Sequence, residues 1–363
     1  MKRARTALLW LLLGAVVVAL ALRHRDDGVE HPVARRQFLA MGTQITITLA
    51  APESANSAAA LDDAQQRISA FAQIWAPWGD GALATINQQL RANQTAPIPD
   101  DMLPLWTRAL SLRARSDGAF EPRIGALVRL WGFDDVARLR SEPPAPAAVR
   151  AALSDISAAP LSLGPCAGPV DRRCYGPAPG VQWDFGAIAK GWIVDQTLAE
   201  LRKAGFDNAL VDAGGNLAVR GQHGTRPWRI GIRNPRGDGS AEHPRLLATV
   251  DAHDEAVNTH GDYERYFEFA GQRYCHILDA RSGMPVQGLQ AVTVLHPDAA
   301  YADAAGLAVF VAGPLGWREA AARLGLEQVL VVTADGHIIA TPALMGRLHA
   351  EPGIRIEPMD APP

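Results

Sequence analysis

The stretch Asp184-Phe-Gly-Ala-Ile-Ala-Lys190-Gly-Trp-Ile-Val-Asp195 puts a carboxylate, two glycines and a lone lysine where a strand should run into a helix. Glycine lets backbone N–H groups turn toward an anion, the helix N-terminus adds partial positive charge, and Lys190 can reach the same oxygens. The chemistry this spacing suits is holding a phosphate. The same residues also describe an ordinary strand-to-helix turn, with Asp184 as a cap and Lys190 in solvent, and the motif alone does not choose. Downstream, Asn258-Thr-His260-Gly-Asp-Tyr-Glu-Arg265 and Tyr274-Cys-His276-Ile-Leu-Asp-Ala-Arg-Ser-Gly-Met-Pro285 supply two imidazoles. His276 can accept a proton near neutral pH, or it can be a strand histidine satisfied by Asp279 and core carbonyls. His260 lies close to the same strand pair and could take its part.

Around these residues the patterning predicts both helices and strands. Residues 44–49 alternate as a half-buried strand does, and helices are expected at 54–71, 102–116, 146–154 and 187–204. Strands are expected near 209–211, 217–219, 228–232, 246–250, 291–295 and 329–333, separated by turns rather than helices, which favours antiparallel pairing. A last helix, 302–324, is interrupted by Gly313-Pro314.

The chain has 363 residues, a formal net charge of −3 and 48% hydrophobic residues, enough for a large core and no electrostatic case for nucleic acid. Lys2, Arg3 and Arg5 precede an apolar run at 7–22, which reads as an export signal or membrane anchor. Ala19-Leu-Ala21 could be cleaved, but an uncleaved anchor is the favoured expectation, and no cysteine follows the run to carry a lipid. Of the three cysteines, Cys166 and Cys174 can close a small loop or be unrelated thiols, while Cys275 reads as a buried strand residue.

Taken together the motifs resemble the ApbE family. Met41-Gly-Thr43, Ala119-Phe-Glu-Pro122, Leu130-Trp-Gly-Phe133, the Asp184 stretch, Asp212-Ala-Gly-Gly-Asn216, Gly261-Asp-Tyr-Glu-Arg265, the His276 stretch and Ala302-Asp303 follow in family order. The resemblance implies an FAD:protein FMN transferase in an α+β fold, with antiparallel sheets packed with helices in a T-fold-like architecture. It implies an anchor or signal at 1–25, a linker at 26–35, the transferase domain at 36–350 and a tail at 351–363. For FAD it points to Met41, an aromatic around Trp78 that Trp75 rivals, Ala119, Phe120, Glu121, Ile277, and Asp184 accepting from a ribose or adenine group. Lys190 would meet the diphosphate and assist His276 in catalysis. Mg²⁺ would sit on Asp303 and the carbonyl of Ala187, although Asp303 also reads as a helix N-cap. The implied partner is an acceptor protein with a Thr or Ser hydroxyl, a subunit of a membrane redox complex at the periplasmic face of the inner membrane.

The chain departs from the pattern in several places. Leu307 stands where the family carries Thr or Ser, with Asp298, Thr293 or water as substitutes for the lost ligand, and His260 replaces a Ser. Glu121 replaces Asp, and Arg123, in place of Thr, could meet a phosphate. These changes leave open an impaired FAD-binding redox accessory, or an FAD pyrophosphatase releasing FMN and AMP.

Overall fold

The computed structural model describes residues 32–167, 172–237 and 245–359. The expected anchor at 1–25, most of the linker and the end of the tail lie outside the described residues. Strand alternation and turn glycines build a nine-stranded sheet whose neighbours are antiparallel except for the last pair. From one edge it runs Ala34–Ala40, Thr43–Leu49, Ala209–Ala213, Asn216–Arg220, Ala256–Gly261, Leu289–His296, Gln328–Thr333, Ile338–Ala340 and Glu357–Pro358. Strand pairing extends beyond residues 36–350: Ala34 and Arg35 pair with Leu49 and Thr48, and Glu357–Pro358 joins the sheet.

Period-two alternation makes the sheet two-sided. One face carries Ile45, Ile47, Val292 and Val294 into the core beneath the helices. The other buries Leu217, Val257, Ala291 and Leu295 against a three-stranded sheet containing Trp228–Arg233, Leu246–Ala252 and Leu348–Ala350. The α+β expectation is met, with helices, large sheet and small sheet in layers.

Two helices dominate the helical layer. Gly186–Lys203 carries Lys190, and Ala299–Arg323 carries Asp303 and is almost wholly buried along its first half. The second helix continues past Gly313, whose φ of 70° breaks the helical path where Pro314 could not donate. The Lys190 helix can approach the Asp303 helix so closely only because residue 191 is glycine: a Cβ there would lie 2.1 Å from the Ala299 carbonyl oxygen. Gly191→Ala is therefore expected to cost about 3 kcal/mol or more, read by chemical denaturation, since the obstacle is backbone that cannot swing aside.

Cys166 and Cys174 are disulfide-bonded. Cys275 is buried, and burial pushes its thiol up to about 12, so it is an inert core residue as expected.

Candidate active site

Two tight turns meet at one end of the large sheet. Met41-Gly42 forms a two-residue hairpin turn with φ values of 52° and 71°, the left-handed pair that a twisted hairpin favours. Methionine is an expensive residue for that position, at about 1–2 kcal/mol, so its side chain is held at the turn at some cost. The Gly214-Gly215 turn packs on Thr43, where a Cβ at Gly214 would meet Oγ1 at 2.0 Å, and the Gly215 carbonyl accepts from the Thr259 N–H at 3.1 Å. Asn216 and Asn258 pair directly across the strands at this same end.

Onto this end the two helices bring Lys190 and Asp303. The amide of Asn216 joins them: oriented to satisfy both neighbours, its nitrogen donates to Asp303 Oδ1 at 3.0 Å and its oxygen accepts from Lys190 Nζ at 3.1 Å. Asp303 Oδ2 accepts from the Gly191 N–H at 3.1 Å. That N–H is the one a regular helix directs at the carbonyl of Ala187, so the Ala187 and Asp303 oxygens converge on one donor. Asn258 donates to the Ala299 carbonyl at 3.1 Å, which seats the Asp303 helix on the sheet.

Asp303 is 0% exposed and has no arginine or lysine in ion-pair contact among the described residues. Burial pushes its carboxyl up to about 6 against the pull of Lys190 and the Gly191 N–H. The N-cap role does not fall to it. Asp298 takes that place by accepting from the Tyr301 N–H at 2.8 Å, and Asp195 accepts from Ala299 and Ala300. A buried carboxylate with no direct ion pair, its nearest cation Lys190 held off by the Asn216 amide, fits a hard cation beside a helix carbonyl. No cluster of three or more His, Cys, Asp or Glu among the described residues could cage a metal, which suits an ion that keeps waters or takes ligand oxygens.

His260 donates from Nε2 to the Asp303 carbonyl oxygen at 2.8 Å, its ring lying over Gly306. Burial, then Lys190, pulls its imidazole down to about 4, so it is neutral at neutral pH. Thr293 cannot replace the missing ligand, because it bonds Thr259 at 2.9 Å on the sheet face away from the Asp303 helix. Asp298 cannot either, being held by Arg108 and the helix N-terminus. Leu307 packs against the main core.

His276 lies within electrostatic range of Lys190 and His260. Its backbone N–H and ring Nδ1 both meet the Arg265 carbonyl, at 2.9 and 3.3 Å, so Nδ1 carries the proton and Nε2 keeps its lone pair. Burial, then the charges of Arg265 and Lys190, hold this imidazole well below the usual histidine range. Asp279 is not its partner, because Arg281 grips both Asp279 oxygens. Asp184 accepts from the Gly186 N–H at 2.8 Å; burial pushes its carboxyl up, and that N–H, Arg265 and Lys190 offset the effect only in part.

The expected flavin contacts divide. Trp75 belongs to the core, edge-on to Phe185 at 4.7 Å, whereas Trp78 is half-buried beneath Arg129. Ala119, Phe120, Glu121 and Ile277 are all buried, so only their main chain can serve a ligand. The Glu121 carboxylate is already gripped by Arg113 and by both arms of Arg123. Arg123, 1% exposed, spends its remaining nitrogen on the Ala159 and Pro160 carbonyls and has nothing left for a phosphate. Arg123→Met should destabilise the fold by about 3 kcal/mol, measured by denaturant titration, because it strands part of a buried carboxylate. Asn216, Asn258 and Arg265 are site residues that sequence reasoning missed; polar side chains in strands otherwise made of core residues are a signal for the two asparagines, and none marks Arg265, which lies in a turn.

The family model described as "ApbE family" matches residues 41–330. An FAD:protein FMN transferase of Rhodobacter capsulatus is 37% identical over 284 residues, covering 77% of this chain and 51% of the relative, so the chain spans about half that protein's length. One of Treponema pallidum is 36% identical over 289 residues, covering 74% of this chain and 75% of the relative. The crystal structure of the ApbE protein of Thermotoga maritima superposes with a TM-score of 0.76 at 27% identity, covering 87% of this chain and 99% of that one. The apo flavinyl transferase ApbE of Pseudomonas stutzeri gives 0.73 at 28% identity, covering 90% and 100%.

Proposed function

The chain belongs to the ApbE family, and from that premise we propose that it transfers FMN from FAD to a Thr or Ser hydroxyl of an acceptor protein, releasing AMP. The observation that carries this reading is the meeting of Lys190, Asn216, Asp303 and His276, from four distant segments, at one sheet end.

His276 Nε2 takes the proton of the acceptor hydroxyl. The hydroxyl oxygen forms a bond to the phosphorus on the riboflavin side, the bond from that phosphorus to the bridging oxygen breaks, and AMP leaves with that oxygen. Phosphoryl transfer of this kind is mostly positioning and charge stabilisation. Lys190, held by Asn216, meets the diphosphate charge, and Asp184 accepts from a ribose or adenine group. Met41 and Trp78 offer apolar faces to the ring system. Asp303 and the Ala187 carbonyl would hold Mg²⁺, which would neutralise charge on the phosphate oxygens when bound.

The acceptor is proposed to be a subunit of a membrane redox complex, met at the periplasmic face of the inner membrane, with residues 1–25 as the anchor. The second reading, FAD hydrolysis to FMN and AMP, is the variant in which water takes the place of the acceptor hydroxyl at the same site. Incubating the chain with FAD, Mg²⁺ and candidate acceptors separates the two. An acceptor heavier by one FMN supports transfer, AMP without modification supports hydrolysis, and retained FAD without AMP rejects both.

A further inference from the structure

Arg265 stands out among the arginines near the site. Arg236 and Arg273 both pair with Asp262, Arg281 holds Asp279, and Arg113 and Arg123 hold Glu121. Arg265 is half-buried, yet among the described residues no carboxylate comes within 4.0 Å of its guanidinium. Its one hydrogen bond is from Nη1 to the Phe133 carbonyl at 3.1 Å. A guanidinium has five N–H donors in a planar fork, so most of this one's donors are open. Leaving a partly desolvated cation in that state is costly, and burial does lower its hold on its proton, with Asp184 and Glu264 only partly offsetting the effect.

The position of the fork is not arbitrary. Arg265 ends the turn between Ala256–Gly261 and Tyr266–Phe269, and its own carbonyl is what fixes the ring of His276. A base that takes a proton from the attacking hydroxyl must sit within hydrogen-bond reach of that oxygen, and hence beside the phosphorus under attack. The Arg265 carbonyl lies on the Nδ1 edge, across the ring from Nε2, so only the long side chain can extend toward that phosphorus, and its guanidinium, like Lys190, acts on Asp184. Lys190 approaches from the Gly186–Lys203 helix, on the side where Asp303 stands.

We propose that Arg265 grips the non-bridging oxygens of the FMN phosphate, the group that is transferred, while Lys190 serves the rest of the diphosphate. The inference rests on the transferase reading and adds a phosphate ligand to it. A planar fork matches two equatorial phosphate oxygens, which gather charge as the bond to AMP lengthens.

The test measures binding of FAD, FMN, ADP and riboflavin to the full-length chain and to its Arg265→Met and Arg265→Lys variants, by flavin fluorescence and calorimetry. Arg265→Met should weaken FAD and FMN about 10- to 100-fold, with ADP and riboflavin within about twofold of wild type. Arg265→Lys, which keeps the charge and loses the fork, should fall between, and it decides the matter if the methionine variant does not fold. Equal weakening of riboflavin would show that Arg265 only braces the Phe133 turn, and a loss confined to ADP would put it on the wrong phosphate; either overturns the inference. So would FAD and FMN binding unchanged in both variants. A wild-type chain that binds neither FAD nor FMN overturns the transferase reading itself, a result visible before any variant is made.

Discussion

Asp303→Asn should make the protein more stable at pH 7.5 while removing its activity. The carboxyl is fully buried, and its folded value of about 6 lies above the 3.8 of an ordinary aspartate. A group raised in the folded state contributes its stability in full below pH 4, and that contribution is lost as pH rises toward 6. Above pH 6 the fold carries a buried charge at a cost on the order of 3 kcal/mol, which a neutral amide of the same shape avoids. The Gly191 N–H can still donate to the amide oxygen, but the new NH2 then faces the Asn216 nitrogen that donates to Oδ1, and that lost bond takes back about 1 kcal/mol of the gain. Denaturant midpoints measured from pH 4 to 8 should cross, the variant gaining on wild type as pH rises. If the proposed reading holds, FMN transfer should fall by about a thousandfold or more, because the carboxylate proposed to hold Mg²⁺ is gone. Saturating Mg²⁺ should raise the wild-type melting temperature and leave the variant's unchanged. A variant less stable than wild type at pH 7.5, or equally protected by Mg²⁺, would make Asp303 a structural residue.

The elements whose evidence is local were readable from sequence. The helix expected at 54–71 is Ala55–Ile74, capped by Ser54, and the strands at 217–219 and 329–333 lie within Asn216–Arg220 and Gln328–Thr333. What escaped was helix Ala82–Arg91, whose N-cap Gly81 provides no side-chain cap, and edge strand Ala34–Ala40, whose first two residues, Ala34 and Arg35, read as linker. At the site, long-range partners decided what spacing could not. The Asp303 helix begins at Ala299, so Asp298 is its N-cap and Asp195, from 104 residues away, accepts from Ala299, which leaves Asp303 free of the capping role its place in the sequence suggested. Arg123 looked available for a phosphate until folding placed it against Glu121 and the Ala159 carbonyl. Trp75 and Trp78 were equivalent in sequence, and only the contact with Phe185 assigns Trp75 to the core.

His276→Asn should separate binding from chemistry. The amide nitrogen of asparagine can replace Nδ1 in donating to the Arg265 carbonyl, so the strand and the Arg265 turn keep their geometry, while the lone pair at Nε2 disappears. FAD affinity should stay within about threefold, and the transfer rate at saturating FAD should drop by about 10²- to 10⁴-fold, the usual worth of a positioned base. The pH profile carries the sharper test. Because the folded imidazole is held well below 6.5, wild-type His276 is already in its base form at neutral pH, and its acid limb lies below the ordinary histidine range. Protonation of Asp303 near pH 6 also weakens activity in acid, but cation binding competes with that proton, so this limb moves to lower pH as Mg²⁺ is raised. The His276 limb does not respond to Mg²⁺. With the metal saturating, the wild-type profile should therefore keep one acid limb and His276→Asn should be flat through the same range. A variant that retains the limb, or whose FAD affinity collapses with its rate, would take the base away from His276 and leave it a strand histidine bound to a carbonyl.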